Sequence, residues 1–322
     1  MKHDMMWCAF VYLSDHMWDD ASTAPRGWYL KPSYNENNST EVEAWDEYMK
    51  FLAEHKYNAV LIDLGDAIKY ESHPEISAPN AWTKDFMKKK LDEIRALGIT
   101  PYPKLNFSCG HMTWMKQYNR MVSSPAYYQF CADMIKEVCE LFDYPEYFHI
   151  GFDEEVERKQ LTYEKVVVRA TELWWHDLFY IAGECEKHGA RPWMWADYMW
   201  ERGNEELYLN RMSKSILQSN WFYQTFTEYP ETHPKRYDFR IKSYELLNER
   251  GFDQVPTSSS YQCQVNSYQT VAFCKEKLDP ALLKGFLTAA WSRTTMADQY
   301  FFKNDALRLY LGREAFYPET LK

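Results

Sequence analysis

The chain holds 322 residues, 46% of them hydrophobic, and carries a net charge of −10. That length suits one large domain or two ordinary ones, and the negative balance argues against a nucleic-acid partner, whose phosphates want a basic surface. No apolar run approaches the roughly 20 residues needed to cross a bilayer, so the sequence predicts a soluble protein without a membrane partner.

Strand-like and helix-like segments alternate along the chain. Trp7–Leu13 reads as a first strand, and Ala44–His55 as a helix with Trp45, Tyr48, Met49 and Leu52 on one face. After the strand Ala59–Asp63, the helical period returns in Phe86–Leu97 through Met87, Leu91, Ile94 and Leu97, stopping at Gly98, a natural C-cap. Strands Thr100–Leu105 and Tyr147–Gly151 flank a helix over Tyr127–Phe142. A longer helix, Tyr163–His188, stops at Gly189 and leads into the strand Pro192–Ala196. Strands Ser215–Gln218 and Gln254–Thr257 flank a helix Tyr237–Arg250. Phe286–Ala290 is the last strand, and the helix Gln299–Leu311 closes before Gly312. Strands alternating with helices, with no Pro/Gly/Ser-rich linker, predict an α/β fold: a single (β/α)8 TIM barrel over residues 1–322. The long connections Ser14–Val42 and Trp221–Arg236 then belong over the reactive face.

The seven cysteines are scattered, odd in number and without a Cys-x-x-Cys, so neither a disulfide framework nor a zinc site is expected, and no cofactor is required. Met1 to Met6 contain no apolar h-region, which predicts a cytoplasmic protein or a numbering that begins after a removed signal peptide. Aromatics make up 17% of the chain. Flat rings fill cores, but they also stack on sugar faces, which leans the reading towards a carbohydrate pocket.

The most informative stretch is His149-Ile150-Gly151-Phe152-Asp153-Glu154-Glu155, reached through an apolar strand. Barrels present their chemistry at the carboxyl ends of their strands, so adjacent carboxylates delivered there suit a reactive pair whose surroundings push their proton affinities apart. The plainer reading is a solvated helix start, where acids meet the positive end of the dipole.

The motifs, taken together, resemble the catalytic barrel of family 20 glycoside hydrolases, the β-N-acetylhexosaminidases. The family's strand-four His-x-Gly-Gly-Asp-Glu is matched by His149 to Glu154, its strand-two Lys-x-Asn and later Asp by Lys56-Tyr57-Asn58 and Asp66, and its strand-three Gly-His by Gly110-His111. The strand-five Trp-x-Asp is matched by Trp195-Ala196-Asp197 and the strand-eight Trp by Trp291. The resemblance implies substrate-assisted catalysis, an exception to the two-carboxylate rule in which the sugar's own 2-acetamido oxygen attacks the anomeric carbon. It implies Glu154 as the acid and later the base, and Asp153 as the group that holds the acetamido N–H. It also implies that Asp66 orients His111 and that His111 contacts the acid. Trp195, Trp221 and Trp291 would box the acetamido group and Tyr261 would donate to its oxygen, with His149 and Asp197 among the substrate-binding residues.

The chain also departs from the family. Phe152 replaces the second Gly, the strand-one Arg is missing from Leu13-Ser14-Asp15-His16, the strand-eight Glu has become Arg293, and Cys263 stands where strand seven carries Asp. Asp15 and Arg293 look like a reciprocal charge swap facing the terminal sugar, where an Arg fork suits an anionic group; the alternative is that Arg293 ties down its loop through Asp15. The expected activity is a retaining exo-glycosidase on β-linked N-acetylhexosamine sugars with altered terminal-sugar recognition. Two other readings stand beside it: a non-catalytic sugar-binding barrel closed by Phe152, and a metal-dependent hydrolase with a cation on His111, His149 and Asp153.

Overall fold

The computed structural model of the chain describes residues 5–17, 36–155, 169–201, 203–226 and 234–321. Eight parallel strands form the sheet: β1 (Met6–Tyr12), β2 (Ala59–Asp63), β3 (Thr100–Lys104), β4 (Tyr147–His149), β5 (Arg191–Trp195), β6 (Leu217–Ser219), β7 (Thr257–Ser258) and β8 (Gly285–Thr288). They pair in the order β6-β5-β4-β3-β2-β1-β8-β7. Bridges Gln218–Gln254 and Trp221–Thr257 join the two outer strands, with Val255 N–H donating to Gln218 O and Thr257 N–H to Asn220 O, both at 2.9 Å. A sheet that meets itself in this way is a (β/α)8 barrel, as the alternation of elements predicts.

Each strand is followed by a helix: α1 (Val42–Glu54), α2 (Lys84–Ala96), α3 (Pro125–Leu141), α4 (Thr171–Lys187), α5 (Glu205–Arg211), α6 (Pro234–Glu249), α7 (Asn266–Lys277) and α8 (Gln299–Phe316). Local chemistry starts several of them. Thr83 accepts the Phe86 N–H at 3.2 Å to open α2, and Ser124 accepts the Tyr127 N–H at 3.3 Å ahead of Pro125 in α3.

The two-residue period of the strands divides the core into two layers. Met6, Cys8, Phe10 and Tyr12 of β1, Leu61 of β2 and Trp193 and Trp195 of β5 fill the barrel interior. Trp7, Ala9, Val11, Val60, Ile62 and Met194 face outward into the larger apolar layer beneath the helices. The strand register places Tyr12, Asp63, Lys104, His149 and Trp193 opposite one another. That level lies just below the mouth, and it buries the Lys104–Asp63 ion pair inside the barrel.

Some expected boundaries move. The last helix runs through Gly312 to Phe316, because Gly312 is a packing position: a β-carbon there would press within 3.2 Å of Val271 on α7. The helix expected from Tyr163 begins at Thr171 after non-helical residues 169–170, and 156–168 lie outside the described residues. Parts of both long connections, 18–35 and 227–233, lie outside them as well.

Candidate active site

Strand alternation continues past the strand ends and builds the mouth. From the end of β3 onward, Lys104, Asn106 and Ser108 serve the barrel side while Leu105 and Phe107 join the outer core. Gly151, just past the end of β4, has φ 79°, and a β-carbon on it would collide with the side-chain oxygen of Asn106. Only glycine lets the β4 loop pass so close to β3. Asp153 is thereby delivered onto polar donors. Asn106 Nδ2 donates to its Oδ1 at 3.1 Å, Ser108 Oγ lies 2.5 Å from the same oxygen, and Asp153 N–H donates to Ser108 Oγ at 2.9 Å.

His111 stands between the two acids, with Nδ1 3.2 Å from Asp153 Oδ2 and Nε2 3.5 Å from Glu154 Oε2. Burial alone would raise Asp153, but His111, Lys104 and Ser108 outweigh it and hold the carboxyl well below the usual carboxylate range. Burial likewise opposes charge on His111, yet Asp153 and Glu154 push the imidazole up to about 10, so it is a cation at neutral pH.

The backbone that presents the pair is strained. Phe152 and Glu154 have φ of 66° and 56°, the left-handed region, which costs an L-residue about 1–2 kcal/mol. Phe152 is compensated by packing. Its ring is fully buried away from the mouth, edge-on to Trp174 at 5.7 Å and beneath the Arg169 guanidinium at 4.5 Å. The ring therefore does not close the site. Glu155 also turns inward, where Arg169 Nη2 contacts its two oxygens at 2.6 and 2.7 Å. Of the three successive acids, only Asp153 and Glu154 reach the mouth.

That mouth is a cavity of about 220 Å3 with Asp153, Glu154 and His111 on its lining. Aromatic rings make its walls. Trp291 lies 6.0 Å from both Trp195 and Tyr223, and Tyr223 stacks on Trp221 at 5.0 Å and 19°. Tyr261 also lines it. The expected acid pair, His111, all three tryptophans and Tyr261 thus converge on one space.

Other expected residues do not reach it. His149 sits one level down, between Trp193 and Trp195, with Gly151 N–H donating to its Nδ1 at 3.1 Å. Burial, with Lys104 nearby, pulls its pKa well below the ordinary imidazole value, so it is a neutral interior group rather than a substrate ligand. Asp66 does not pair with His111. Its oxygens are occupied by His16 at 2.6 Å, Ser14 at 2.8 Å and Asn38 at 3.2 Å, all from the β1 side. Asp197 lies behind the cavity wall. Asp15 accepts from Ser39 Oγ at 2.6 Å, whereas Arg293 Nε donates to Asp298 at 3.0 Å. Neither lines the cavity, and they do not bond each other, so neither the charge swap nor a loop tie through Asp15 is formed. Nor do His111, His149 and Asp153 gather as a cation site; among the described residues no cluster of His, Cys, Asp and Glu is arranged to hold a metal.

The sequence reading missed Asn106, Ser108, Lys104, Tyr12, Tyr223 and Arg240. The first three carried a signal, polar residues at every second position through an apolar strand end. Tyr223 and Arg240 carried none; Arg240 enters from α6, its guanidinium 4.2 Å from the Trp200 ring and 5.3 Å from Trp221.

No family model matches the sequence, and no curated protein is similar to it by sequence. Solved structures do share its fold. The exo-β-N-acetylglucosaminidase of Vibrio harveyi, from glycoside hydrolase family 20, superposes with a TM-score of 0.61 at 14% identity, over 99% of this chain and 58% of that one. The chitobiase of Flavobacterium johnsoniae gives 0.56 at 16%, over 88% and 51%. The β-N-acetylhexosaminidase of Bacteroides fragilis gives 0.60 at 11%, over 98% and 71%. The chain spans little more than half the length of the first two. Its fold is the (β/α)8 barrel of these family 20 hydrolases, and at such identities the fold is what the likeness establishes.

Proposed function

We propose that this barrel is a retaining exo-glycosidase acting on β-linked 2-acetamido sugars by substrate-assisted catalysis. The observation that carries the reading is a carboxylate held ionised beside a second acid on one indole-walled cavity. Asp153 is held ionised by His111, Asn106 and Ser108. Such an anion accepts the acetamido N–H and stabilises the positive oxazolinium that forms when the acetamido oxygen bonds to the anomeric carbon. Glu154 protonates the departing glycosidic oxygen as its bond to that carbon breaks, with the His111 imidazole 3.5 Å from its carboxyl to orient it. In the second half, Glu154 takes a proton from water, which attacks the anomeric carbon and reopens the ring. The aromatic walls hold the internal nucleophile in attack geometry, which raises its effective concentration. Altered recognition of the terminal sugar is part of the proposal, because Asp15 and Arg293 bond to their own loops.

Chromogenic β-N-acetylglucosaminide and β-N-acetylgalactosaminide, assayed beside the plain hexosides, test it. The acetamido substrates should be cleaved and the plain ones left almost untouched, since these lack the internal nucleophile. A thiazoline mimic of the oxazolinium should bind far more tightly than substrate. Equal cleavage of plain hexosides, or indifference to the thiazoline, refutes substrate assistance.

A further inference from the structure

Asp197 follows β5, is almost completely buried, and serves two separate elements with its two oxygens. Oδ2 accepts the backbone N–H of Glu154 at 2.8 Å. Oδ1 accepts the indole N–H of Trp221 at 3.3 Å. The first bond falls on the strained, left-handed residue that carries the proposed acid, where a fixed acceptor decides which way the carboxyl points. The second sets the tilt of a cavity wall, because Trp221 in turn stacks on Tyr223.

We propose that Asp197 is a positioning residue, one buried carboxylate that locks the turn presenting Glu154 to the orientation of Trp221, so that acid and cavity wall are set together. The kinetic half of this proposal rests on Glu154 being the acid; the spectroscopic half does not. Among the described residues, the titratable groups facing Asp197 are Asp153 and Glu154 from the β4 loop, Tyr208 from α5 and Tyr223 beyond β6. Burial first, then Asp153, with Glu154 adding to them, push Asp197 up to about 7 against the opposing pull of its two hydrogen bonds. The lock therefore changes charge near neutral pH. A proton placed on either oxygen weakens that oxygen as an acceptor, and the carboxylate holds both elements more firmly than the acid does.

The test is Asp197→Asn in the full chain. Asparagine keeps the shape and removes a buried charge, but it turns an NH2 against one of two N–H groups. On the acetamido glycosides kcat should fall about 100-fold with KM changed far less, since a misplaced catalytic group costs rate on that scale. The limb of the kcat profile near pH 7 that belongs to Asp197 should vanish. Asp197→Glu should restore part of kcat and a titrating limb. Independently of activity, wild-type tryptophan fluorescence should titrate with a midpoint near 7, and the transition should be lost in both Asp197→Asn and Trp221→Phe. A kcat that survives Asp197→Asn with its pH limb intact overturns the proposal, and so does a fluorescence transition that persists in either variant or is missing from the wild type. If the wild type cleaves none of the glycosides, the proposed function fails, and the fluorescence titration alone decides the role of Asp197.

Discussion

The two sides of the barrel mouth treat their charged residues in opposite ways. On the β3–β4–β5 side, Asp153 receives donors from Asn106 and Ser108, His111 bridges the acid pair, and Asp197 grips the backbone from behind. On the β8–β1–β2 side, Asp15 holds Ser39, Asp66 holds Ser14, His16 and Asn38, and Arg293 holds Asp298. The first set converges on an enclosed space and leaves carboxylate oxygens facing it. The second set is spent within the rim, Asp15 and Arg293 on their own loops and Asp66 on the neighbouring β1 connection. Sequence position at a strand end is therefore a weak guide to chemistry, because the same level of the barrel serves either purpose. What separates the two sides is whether acid side chains are left lining the cavity, as Asp153 and Glu154 are, or are turned into the bonds of the rim, as Asp15 and Asp66 are.

The largest effect that would break this contrast lies beneath the reactive side. Arg169→Met removes the buried cation that contacts both Glu155 and Asp177, and should cost about 3–5 kcal/mol in denaturant unfolding, the usual range for removing one partner of a buried pair. A loss under 1 kcal/mol would mean that the charge support behind the β4 loop is dispensable.

Next come the acids themselves. Asp153→Asn should lower kcat/KM on acetamido glycosides by about 10²–10³, for aryl and natural leaving groups alike, as expected for an electrostatic group that acts on the transition state. Glu154→Gln should spare activated aryl glycosides, which need little protonation, and be far more damaging to natural ones. Two variants that both keep wild-type rates would remove the distinction between the sides altogether.

A smaller effect is read in stability against pH. His111 has a folded pKa of about 10, above its unfolded value, so its contribution is fully present below about 6.5 and is lost as pH rises through 10. Wild type should lose stability over that window, and His111→Gln should flatten the slope. An unchanged slope in the variant would show that the bridging cation is not formed.

The smallest effect sharpens the comparison from the other side. Arg293→Ala should change stability by no more than about 0.5 kcal/mol, the scale of exposed ion pairs, and leave KM unchanged across neutral and anionic acetamido glycosides. A KM raised only for anionic glycosides would place Arg293 at the substrate after all.

Much of this was legible in the chain. Strand and helix periods are local properties of alternating side chains, so the order of elements and the (β/α)8 closure could be read without contacts. The delivery of Asp153 and Glu154 to the mouth was legible for the same reason, since Gly151 and a buried strand place them there. The polar alternation of Lys104, Asn106 and Ser108 is equally visible in the chain and marks the same strand end. What only the tertiary structure decided was which charges face one another. Asp66 lies closer to His16 than to His111, Glu155 finds Arg169 behind the loop, Phe152 turns outward, and Tyr223 and Arg240 arrive from distant elements. Pairing depends on distance and desolvation across strands far apart in sequence, and a one-dimensional pattern encodes neither.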